Sequence, residues 1–232
     1  LVFEPSGGVD CLFSRFNRVD EALIDSLPNL RYIGLLATGT GTVDLDYAKN
    51  KKITVCNVPG YATESVAEWV FALILEQLRQ LEKAKQTARK GDFSGDGFSA
   101  TEIRGKKFGV IGLGRIGQRV GEIALGFGAK VSYWSRNRKK EAEKEGIKYE
   151  SIDNLVKTSD FISLHALTTK ETEGILDGKR LNSLKSGSVV LNVSGMEQVD
   201  LSALEERLAK KDIVFLLDHP DEMKPEDVKR LA

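Results

Sequence analysis

The stretch Phe108-Gly109-Val110-Ile111-Gly112-Leu113-Gly114-Arg115-Ile116-Gly117 decides the fold of this chain. Its first four residues predict a buried β-strand, and the residues from Arg115 onward have the apolar spacing of a helix. The glycines between them follow the G-x-G-x-x-G pattern. In that pattern the first glycine makes a tight turn, the second lets a diphosphate approach the backbone, and the third lets the helix pack on the strand. We therefore predict a dinucleotide-binding βαβ unit, with a chance glycine cluster in a βα loop as the alternative.

Short apolar segments alternate with helical patterns on both sides of this stretch. The strands downstream are predicted at 108–111, 131–134, 161–164, 189–192 and 213–217, and the helices at 115–127, 138–145, 152–157 and 201–210. These strands do not alternate strictly between apolar and polar residues, as is expected when helices cover both faces of a parallel sheet. The fold class is therefore α/β with a doubly wound parallel sheet of the Rossmann type.

The first sixty residues repeat this alternation on a smaller scale. Strands are predicted at 11–13, 31–36 and 53–58, and helices at 20–27 and 46–51. A long helix follows at 64–89, with apolar residues around most of its circumference. Such a helix is expected to be buried on more than one side, between domains or between subunits.

Composition excludes several classes of function. Lys plus Arg and Asp plus Glu both number 34, so no bulk charge favours nucleic acid or an anionic membrane as a partner. No apolar run reaches the ~20 residues needed to span a bilayer. The two cysteines, Cys11 and Cys56, lack metal-ligand spacing, so we expect no metal site. The chain begins at Leu1 without a signal-peptide pattern, and we expect a cytoplasmic protein of which this chain is an interior fragment.

The loop after the strand at 131–134 carries the residues that choose between coenzymes. An acidic residue there holds the ribose 2′-hydroxyl of NAD in many dinucleotide-binding domains. Here the strand ends in Ser135-Arg136-Asn137-Arg138, with no carboxylate. Because Ser135, Arg136 and Arg138 offer charge-assisted hydrogen bonds to a 2′-phosphate, we predict that NADP(H) is preferred over NAD(H). A solvated basic loop is the alternative.

Several stretches resemble, in the same order, the D-isomer-specific 2-hydroxyacid dehydrogenases, and especially glyoxylate/hydroxypyruvate reductases and phosphoglycerate dehydrogenases. They lie at 30–34, 57–68, 109–117, 160–165, 189–192 and 199–200. The resemblance covers about residues 10–220. It implies a dinucleotide-binding domain at 61–232 that includes the helix 64–89. It also implies a partial, flavodoxin-like substrate domain at 1–60, and a homodimer with the helix 64–89 in its interface.

The resemblance also implies roles for single residues along the chain. Backbone amides of Thr38 and Gly39 would hold the carboxylate of a small 2-oxo or 2-hydroxy acid, an ordinary Gly/Thr turn being the alternative. Contacts to the cofactor would come, beside the glycines, from Arg115 and Ile116 at the diphosphate, His165 and Ala166 at the adenosine, Val193, Ser194 and Gly195 at the nicotinamide, and Asp218 at the carboxamide. His165 as a structural histidine and Asp218 as a loop cap are the alternatives.

The chain departs from the family pattern where the family carries its catalytic residues. Reducing a 2-oxo acid needs a cation to polarise the carbonyl and an acid that protonates the alkoxide. The family's arginine position is Gly195 and its glutamate position is Met223, with Glu222 a weak neighbouring candidate. The family's histidine would follow Ala232, and we do not expect His219 to replace it. The function that the resemblance implies is an NAD(P)-dependent oxidoreductase that interconverts a small 2-oxo acid and its D-2-hydroxy acid. The alternatives are a catalytically impaired NADP(H)-binding sensor or scaffold, and a truncated or decayed gene product.

Overall fold

The computed structural model of the chain describes residues 8–15, 17–220 and 223–231. The chain divides after Ala62 into two units, Leu1–Ala62 and Thr63–Ala232. Each unit has a parallel sheet and its own buried apolar residues.

The first unit is a three-stranded parallel sheet in the order β1-β2-β3. Its elements are β1 (Cys11–Ser14), α1 (Glu21–Asp25), β2 (Tyr32–Leu35), α2 (Leu45–Asn50) and β3 (Thr54–Cys56). The helices α1 and α2 begin where they do because the side chains of Asp20 and Asp44 accept hydrogen bonds from the backbone N–H groups of Leu23 and Tyr47. The predicted strands and helices of this region are confirmed, with ends shifted by a few residues.

The second unit contains a six-stranded, wholly parallel sheet in the order β6-β5-β4-β7-β8-β9. Its elements are α3 (Thr63–Arg79), α4 (Leu81–Arg89), β4 (Lys107–Ile111), α5 (Arg115–Gly126), β5 (Lys130–Trp134), α6 (Lys140–Lys144), β6 (Lys148–Tyr149), α7 (Ile152–Thr158), β7 (Phe161–Leu164), α8 (Gly178–Ser183), β8 (Val189–Asn192), α9 (Leu201–Leu208), β9 (Val214–Leu217) and α10 (Pro225–Leu231). This strand order is that of the Rossmann fold, so the predicted α/β, doubly wound class is confirmed.

Two apolar clusters cover the two faces of this sheet. Within β4, Phe108 and Val110 join the cluster formed with α3 and α5, whereas Ile111 joins the cluster formed with α7, α8 and α9. Within β8, Leu191 joins the first cluster and Val190 the second. Side chains of a strand alternate between its faces, so both faces of the central strands are buried. Burial on both faces explains why these strands are continuous apolar runs in the sequence.

The prediction of a single helix over 64–89 was wrong, because the structure has two helices in this region, α3 and α4. They meet at Gln80, whose backbone is left-handed (φ 48°, ψ 47°). The Gln80 amide donates to the carbonyl and hydroxyl oxygens of Ser99, both at 3.2 Å. The last buried residue of α3 is Leu78, and α4 has no buried residue. The apolar pattern that anchors α3 therefore ends just before the chain turns.

Candidate cofactor-binding site

Gly112 ends β4 in a conformation that excludes a side chain. Its φ is 95°, and a Cβ atom there would lie 2.5 Å from the backbone nitrogen of Ala166 and 2.7 Å from the carbonyl carbon of His165. The neighbouring strands fix the turn, since the Gly112 N–H donates to Trp134 O and the His165 N–H donates to Ile111 O, both at 2.7 Å. The first glycine of the motif is therefore required by close backbone approach as well as by its φ.

The other two motif glycines differ in their surroundings. A Cβ atom at Gly117 would collide with the carbonyl oxygen of Gly112, so a close helix–strand contact requires this glycine. Gly114 is exposed, and a Cβ atom there would meet nothing within 4 Å. Gly114 is also the N-cap of α5, with no side-chain hydrogen bond to the helix. The first N–H groups of α5, which include those of Arg115 and Ile116, are therefore left to an external acceptor. Open space beside these donors fits a diphosphate.

A cleft of about 570 Å³ lies beside this turn and is called the glycine cleft below. Its walls follow β4, β5 and β7, at the carboxyl edge where the strand order reverses, the usual place for a ligand in such a sheet. Six residues predicted from sequence line it, namely Gly112, Gly114, Ser135, Arg136, His165 and Ala166. It is also lined by residues that had no predicted role, among them Trp134, Lys139 and Glu171. The structure thus brings together residues from three separate parts of the sequence.

The structure separates Arg138 from the other residues predicted to face a 2′-phosphate. The Arg138 guanidinium donates to both carboxylate oxygens of Glu143, at 2.7 and 2.8 Å, and lies 5.2 Å from the ring centre of Tyr149. The hydrogen bonds from Arg138 hold the pKa of Glu143 below its usual range. Ser135 stays at the cleft, where its hydroxyl donates to Asn137 O at 2.6 Å. Arg136 and Lys139 therefore supply the positive charge of the cleft.

His165 contributes a neutral ring to the glycine cleft. One ring nitrogen, Nε2, lies 2.7 Å from the hydroxyl oxygen of Ser163. The other, Nδ1, is buried and has no hydrogen-bond partner within the described ranges. Burial lowers the pKa of His165 from 6.5 to about 3. The ring is therefore uncharged near neutral pH, which suits a contact to adenosine and excludes an acid role there.

A second cleft, of about 390 Å³, is lined by Ser194, Glu197, His219 and Met223 among other residues, and is called the β8–β9 cleft below. The Ser194 hydroxyl donates to Leu164 O at 3.1 Å. Val193, Ser194 and Gly195, the three residues predicted at the nicotinamide, directly follow β8. Only Ser194 of these three is among the residues that line this cleft in the described part of the chain.

Gly195, predicted at the arginine position of the family pattern, is covered by an acidic side chain. A Cβ atom on Gly195 would collide with a carboxylate oxygen of Glu197 and would lie 2.9 Å from the hydroxyl oxygen of Thr168. Met223, predicted at the family's glutamate position, lines the β8–β9 cleft, while Glu222 lies outside the described residues. The Glu197 carboxylate therefore lies beside the residue predicted at the family's arginine position, and Lys224 is the cation among the described residues that line this cleft.

Asp218, predicted at the carboxamide, follows β9 and has two partners within the second unit. Its carboxylate accepts a hydrogen bond of 2.6 Å from the indole N–H of Trp69 and lies 3.0 Å from Nε2 of His219. Only 13% of the Asp218 side chain is exposed. Trp69 and His219 therefore position this carboxylate, and neither contact was predicted from sequence.

Thr38 and Gly39, predicted to hold the substrate carboxylate, lie in the first unit. They follow β2 in an exposed loop. The loop is held by Asn57, whose side-chain amide donates to Thr38 O at 2.6 Å, and by the Val58 N–H, which donates to Ala37 O at 3.1 Å. A Cβ atom on Gly39 would meet nothing within 4 Å.

Two further observations concern metals and membranes. In the described ranges, no group of three or more His, Cys, Asp or Glu side chains is placed to hold a metal ion. None of the helices that the structure describes has the length and apolarity needed to cross a bilayer.

Comparisons with known proteins agree with the strand order and the glycine turn. The family described as "D-isomer specific 2-hydroxyacid dehydrogenase, NAD binding domain" matches residues 71–232. A glyoxylate reductase of Thermococcus litoralis is 37% identical over 213 residues, which cover 88% of this chain and 64% of that protein. The chain therefore spans less than two thirds of the length of this curated relative.

Two solved structures show the same architecture. The D-lactate dehydrogenase of Aquifex aeolicus, in complex with NAD and lactic acid, has a TM-score of 0.88 and 31% identity, covering 97% of this chain and 72% of the other. An acyclic imino acid reductase in complex with NADPH and D-Arg has a TM-score of 0.82 and 30% identity, covering 97% of this chain and 80% of the other. Similar folds thus occur with either coenzyme.

Proposed function

We propose that this chain, which belongs to the family of D-isomer-specific 2-hydroxyacid dehydrogenases, binds NADP(H) at the glycine cleft. We further propose that it interconverts a small 2-oxo acid and its D-2-hydroxy acid. The observation that carries the proposal is the turn Gly112–Gly117. Backbone atoms leave no room for a side chain at its two outer glycines. Gly114 has open space around it and lies beside the first N–H groups of α5. A turn with this geometry favours a diphosphate over other ligands.

Each part of the cofactor would have its own residues. The bound nicotinamide would supply or accept the hydride. Backbone amides of Arg115, Ile116 and Gly117 would hold the diphosphate, and His165 with Ala166 would contact the adenosine. On the other side, Val193, Ser194 and Gly195 would border the nicotinamide, with Asp218 near its carboxamide. The substrate carboxylate would be held by the backbone amides of Thr38 and Gly39, in a substrate domain at 1–60.

The preference for NADP(H) is supported by the charge of the glycine cleft. Arg136 and Lys139 line the cleft beyond β5, where an acidic residue would select NAD(H). Arg136 is 70% exposed at its side chain, so it can turn toward a phosphate with little loss of packing. A guanidinium binds a phosphate through paired, charge-assisted hydrogen bonds. Arg138 does not take part in phosphate binding while its guanidinium is hydrogen-bonded to the Glu143 carboxylate.

Titration of the purified protein with NADPH and with NADH tests the proposal. We expect NADPH to bind at least about tenfold more tightly, and Arg136→Ala to remove most of that difference because one phosphate contact is lost. Lys140→Ala is the matched control, since Lys140 belongs to the same basic run but does not line the glycine cleft in the described part of the chain. Tighter binding of NADH by the unaltered protein would refute the preference for NADP(H).

A second candidate function is NADP(H) binding with impaired catalysis, as a sensor or scaffold. It is favoured by the Glu197 carboxylate beside Gly195, because a negative charge there opposes the polarisation of a carbonyl. Oxidation of NADPH in the presence of glyoxylate, hydroxypyruvate and pyruvate separates the two functions. Turnover that depends on a 2-oxo acid supports the dehydrogenase. Tight NADPH binding without such turnover supports the sensor or scaffold.

The proposed assembly is a homodimer with the region of α3 and α4 at its interface. Trp69 and Leu81 in this region are 47% and 42% exposed, although both are large apolar residues. Exposed apolar side chains on neighbouring helices are typical of interfaces. Sedimentation velocity at several protein concentrations tests this assembly, and Trp69→Glu with Leu81→Glu is expected to yield the monomer.

The proposed location is the cytoplasm. Cys11 and Cys56 are both exposed and neither forms a disulfide. Exposed free thiols are typical of proteins from a reducing compartment. Fractionation of cells that express the protein tests this location.

A further inference from the structure

An ion pair crosses the glycine cleft at the place where the coenzymes differ. Nη1 of Arg136 lies 2.8 Å from Oε2 of Glu171, although the two residues are 35 positions apart in sequence. Arg136 follows β5 and Glu171 lies in the loop after β7, and both line the cleft. Because β4 lies between β5 and β7 in the sheet, the pair reaches over the carboxyl end of β4, where the glycine turn begins.

Glu171 is the only carboxylate among the described residues that line the glycine cleft, and Arg136 is the only guanidinium. The other nearby arginine, Arg138, is bound to Glu143. A phosphate that binds Arg136 therefore competes with Glu171 for this guanidinium, while Lys139 is the other cation among the described residues that line the cleft. It must also come close to the Glu171 carboxylate, whose charge has the same sign.

We propose that Glu171 determines how strongly the protein discriminates between NADP(H) and NAD(H). This inference rests on the proposed binding of a dinucleotide in the glycine cleft. NAD(H) carries a 2′-hydroxyl and leaves the pair of Arg136 and Glu171 intact. NADP(H) brings a 2′-phosphate that must share the Arg136 guanidinium with the Glu171 carboxylate or displace it from Nη1. Glu171 therefore weakens NADP(H) binding and leaves NAD(H) binding almost unchanged.

The loop that carries Glu171 is fixed by its threonines, independently of Arg136. The Glu171 N–H donates to the hydroxyl of Thr169 at 3.3 Å, and the Thr172 hydroxyl donates to Leu167 O at 2.5 Å. The Glu171 side chain is 66% exposed. Replacing its carboxylate by an amide should therefore leave the loop and the fold in place.

The test is the ratio of the NADH and NADPH dissociation constants, measured by coenzyme fluorescence at fixed ionic strength. Glu171→Gln is expected to tighten NADPH binding by about threefold to tenfold, the range for release of one exposed charged partner, and to change NADH binding by less than about twofold. Glu173→Gln removes the same charge two positions away, from a residue that does not line the cleft in the described chain, and is the matched control. It should leave the ratio unchanged.

A double-mutant cycle tests the route through Arg136. In an Arg136→Ala background, Glu171→Gln should lose most of its effect on NADPH. An unchanged ratio in Glu171→Gln, an equal effect of Glu173→Gln, or an undiminished effect without Arg136 would each overturn the inference. Failure of the unaltered protein to bind either coenzyme would instead overturn the proposed function, so the two failures are distinguishable.

Discussion

The glycine cleft and the β8–β9 cleft lie in one unit but differ in the chemistry that their residues provide. The glycine cleft depends mainly on backbone groups, which Gly112 and Gly117 bring close together and Gly114 leaves accessible. The β8–β9 cleft is lined by side chains that include those of Glu197, His219 and Met223. Gly195 and Met223, in or next to this cleft, are the residues predicted at the charged positions of the family pattern. In the proposed function, the diphosphate of the coenzyme is bound by the first region and chemistry on a substrate depends on the second, so a substitution can impair the chemistry while the diphosphate site is retained.

The two clefts also differ in how tightly a glycine is enclosed. At Gly112 the atoms nearest to an added Cβ belong to the backbone of His165 and Ala166, which the sheet holds in place. At Gly195 the nearest atom is the end of the Glu197 side chain, which is exposed and can rotate away. A Cβ atom added at Gly112 should therefore destabilise the folded protein more than one added at Gly195, although both would lie close to neighbouring atoms.

The largest effect is expected for Gly112→Ala. The positive φ and the backbone contacts together should lower the free energy of unfolding by roughly 2–5 kcal/mol, since a left-handed alanine costs ~1–2 kcal/mol and overpacking a further ~1–3 kcal/mol. NADPH binding should weaken by more than about a hundredfold, because the turn that presents the diphosphate site is displaced. Urea denaturation and coenzyme titration measure the two effects.

Gly126→Ala is the control for that variant. Gly126 ends the same helix, α5, and an added Cβ atom there would meet nothing within 4 Å. Its NADPH binding should match that of the unaltered protein, and its free energy of unfolding should be equal or higher by up to about 1 kcal/mol, because alanine loses less backbone entropy than glycine on folding into a helix. Normal NADPH binding by a folded Gly112→Ala protein would show that the turn does not form the site.

Gly114→Ala should separate binding from stability. The added methyl group enters open space, so the free energy of unfolding should change by less than about 1 kcal/mol, the usual effect of an N-cap substitution. It occupies the place where a diphosphate would approach α5, so NADPH binding should weaken by about tenfold or more. A protein that is equally stable and binds NADPH as tightly as before would argue that the diphosphate lies elsewhere.

Sequence alone predicted the strands that are buried on both faces, because these are continuous apolar runs. It missed β6, since Lys148–Tyr149 is a strand of two residues without an apolar run. It also missed the turn at Gln80, because no glycine or proline marks that position. Local pattern therefore identifies the core of the sheet better than its edge or its helix ends.

The candidate site was predictable where local geometry determines it, as in the glycine turn. It was less predictable where distant side chains meet. Arg138 has the right charge, yet Glu143, five residues later, binds it at the start of α6. Glu171 joins the cleft only because β7 lies beside β4, which no spacing in the sequence reveals. Pairings of this kind depend on the tertiary fold.

The neutral state of His165 predicts a pH dependence of stability. Its folded pKa of about 3 lies below its unfolded value of 6.5, so the unfolded chain binds more protons between these pH values. Stability should therefore fall as the pH drops below 6.5, by at most about 1.4 kcal/mol per pH unit from this residue. His165→Gln should show a shallower decline between pH 7.0 and 5.5 in urea denaturation. Equal slopes for the two proteins would contradict this account of the ring.

The smallest effect is expected for Gly195→Ala, the counterpart of Gly112→Ala in the other region. Because only the Glu197 carboxylate and the Thr168 hydroxyl must shift, the free energy of unfolding should fall by less than about 1 kcal/mol. NADPH binding should weaken much less than in Gly112→Ala, because the added methyl group displaces only side-chain ends beside the proposed nicotinamide position and leaves the diphosphate turn intact. The same denaturation and titration measurements compare the two glycines directly. If Gly195→Ala instead weakened NADPH binding as much as Gly112→Ala, the residues after β8 would contribute as much to coenzyme binding as the glycine turn, and the contrast between the two regions would fail.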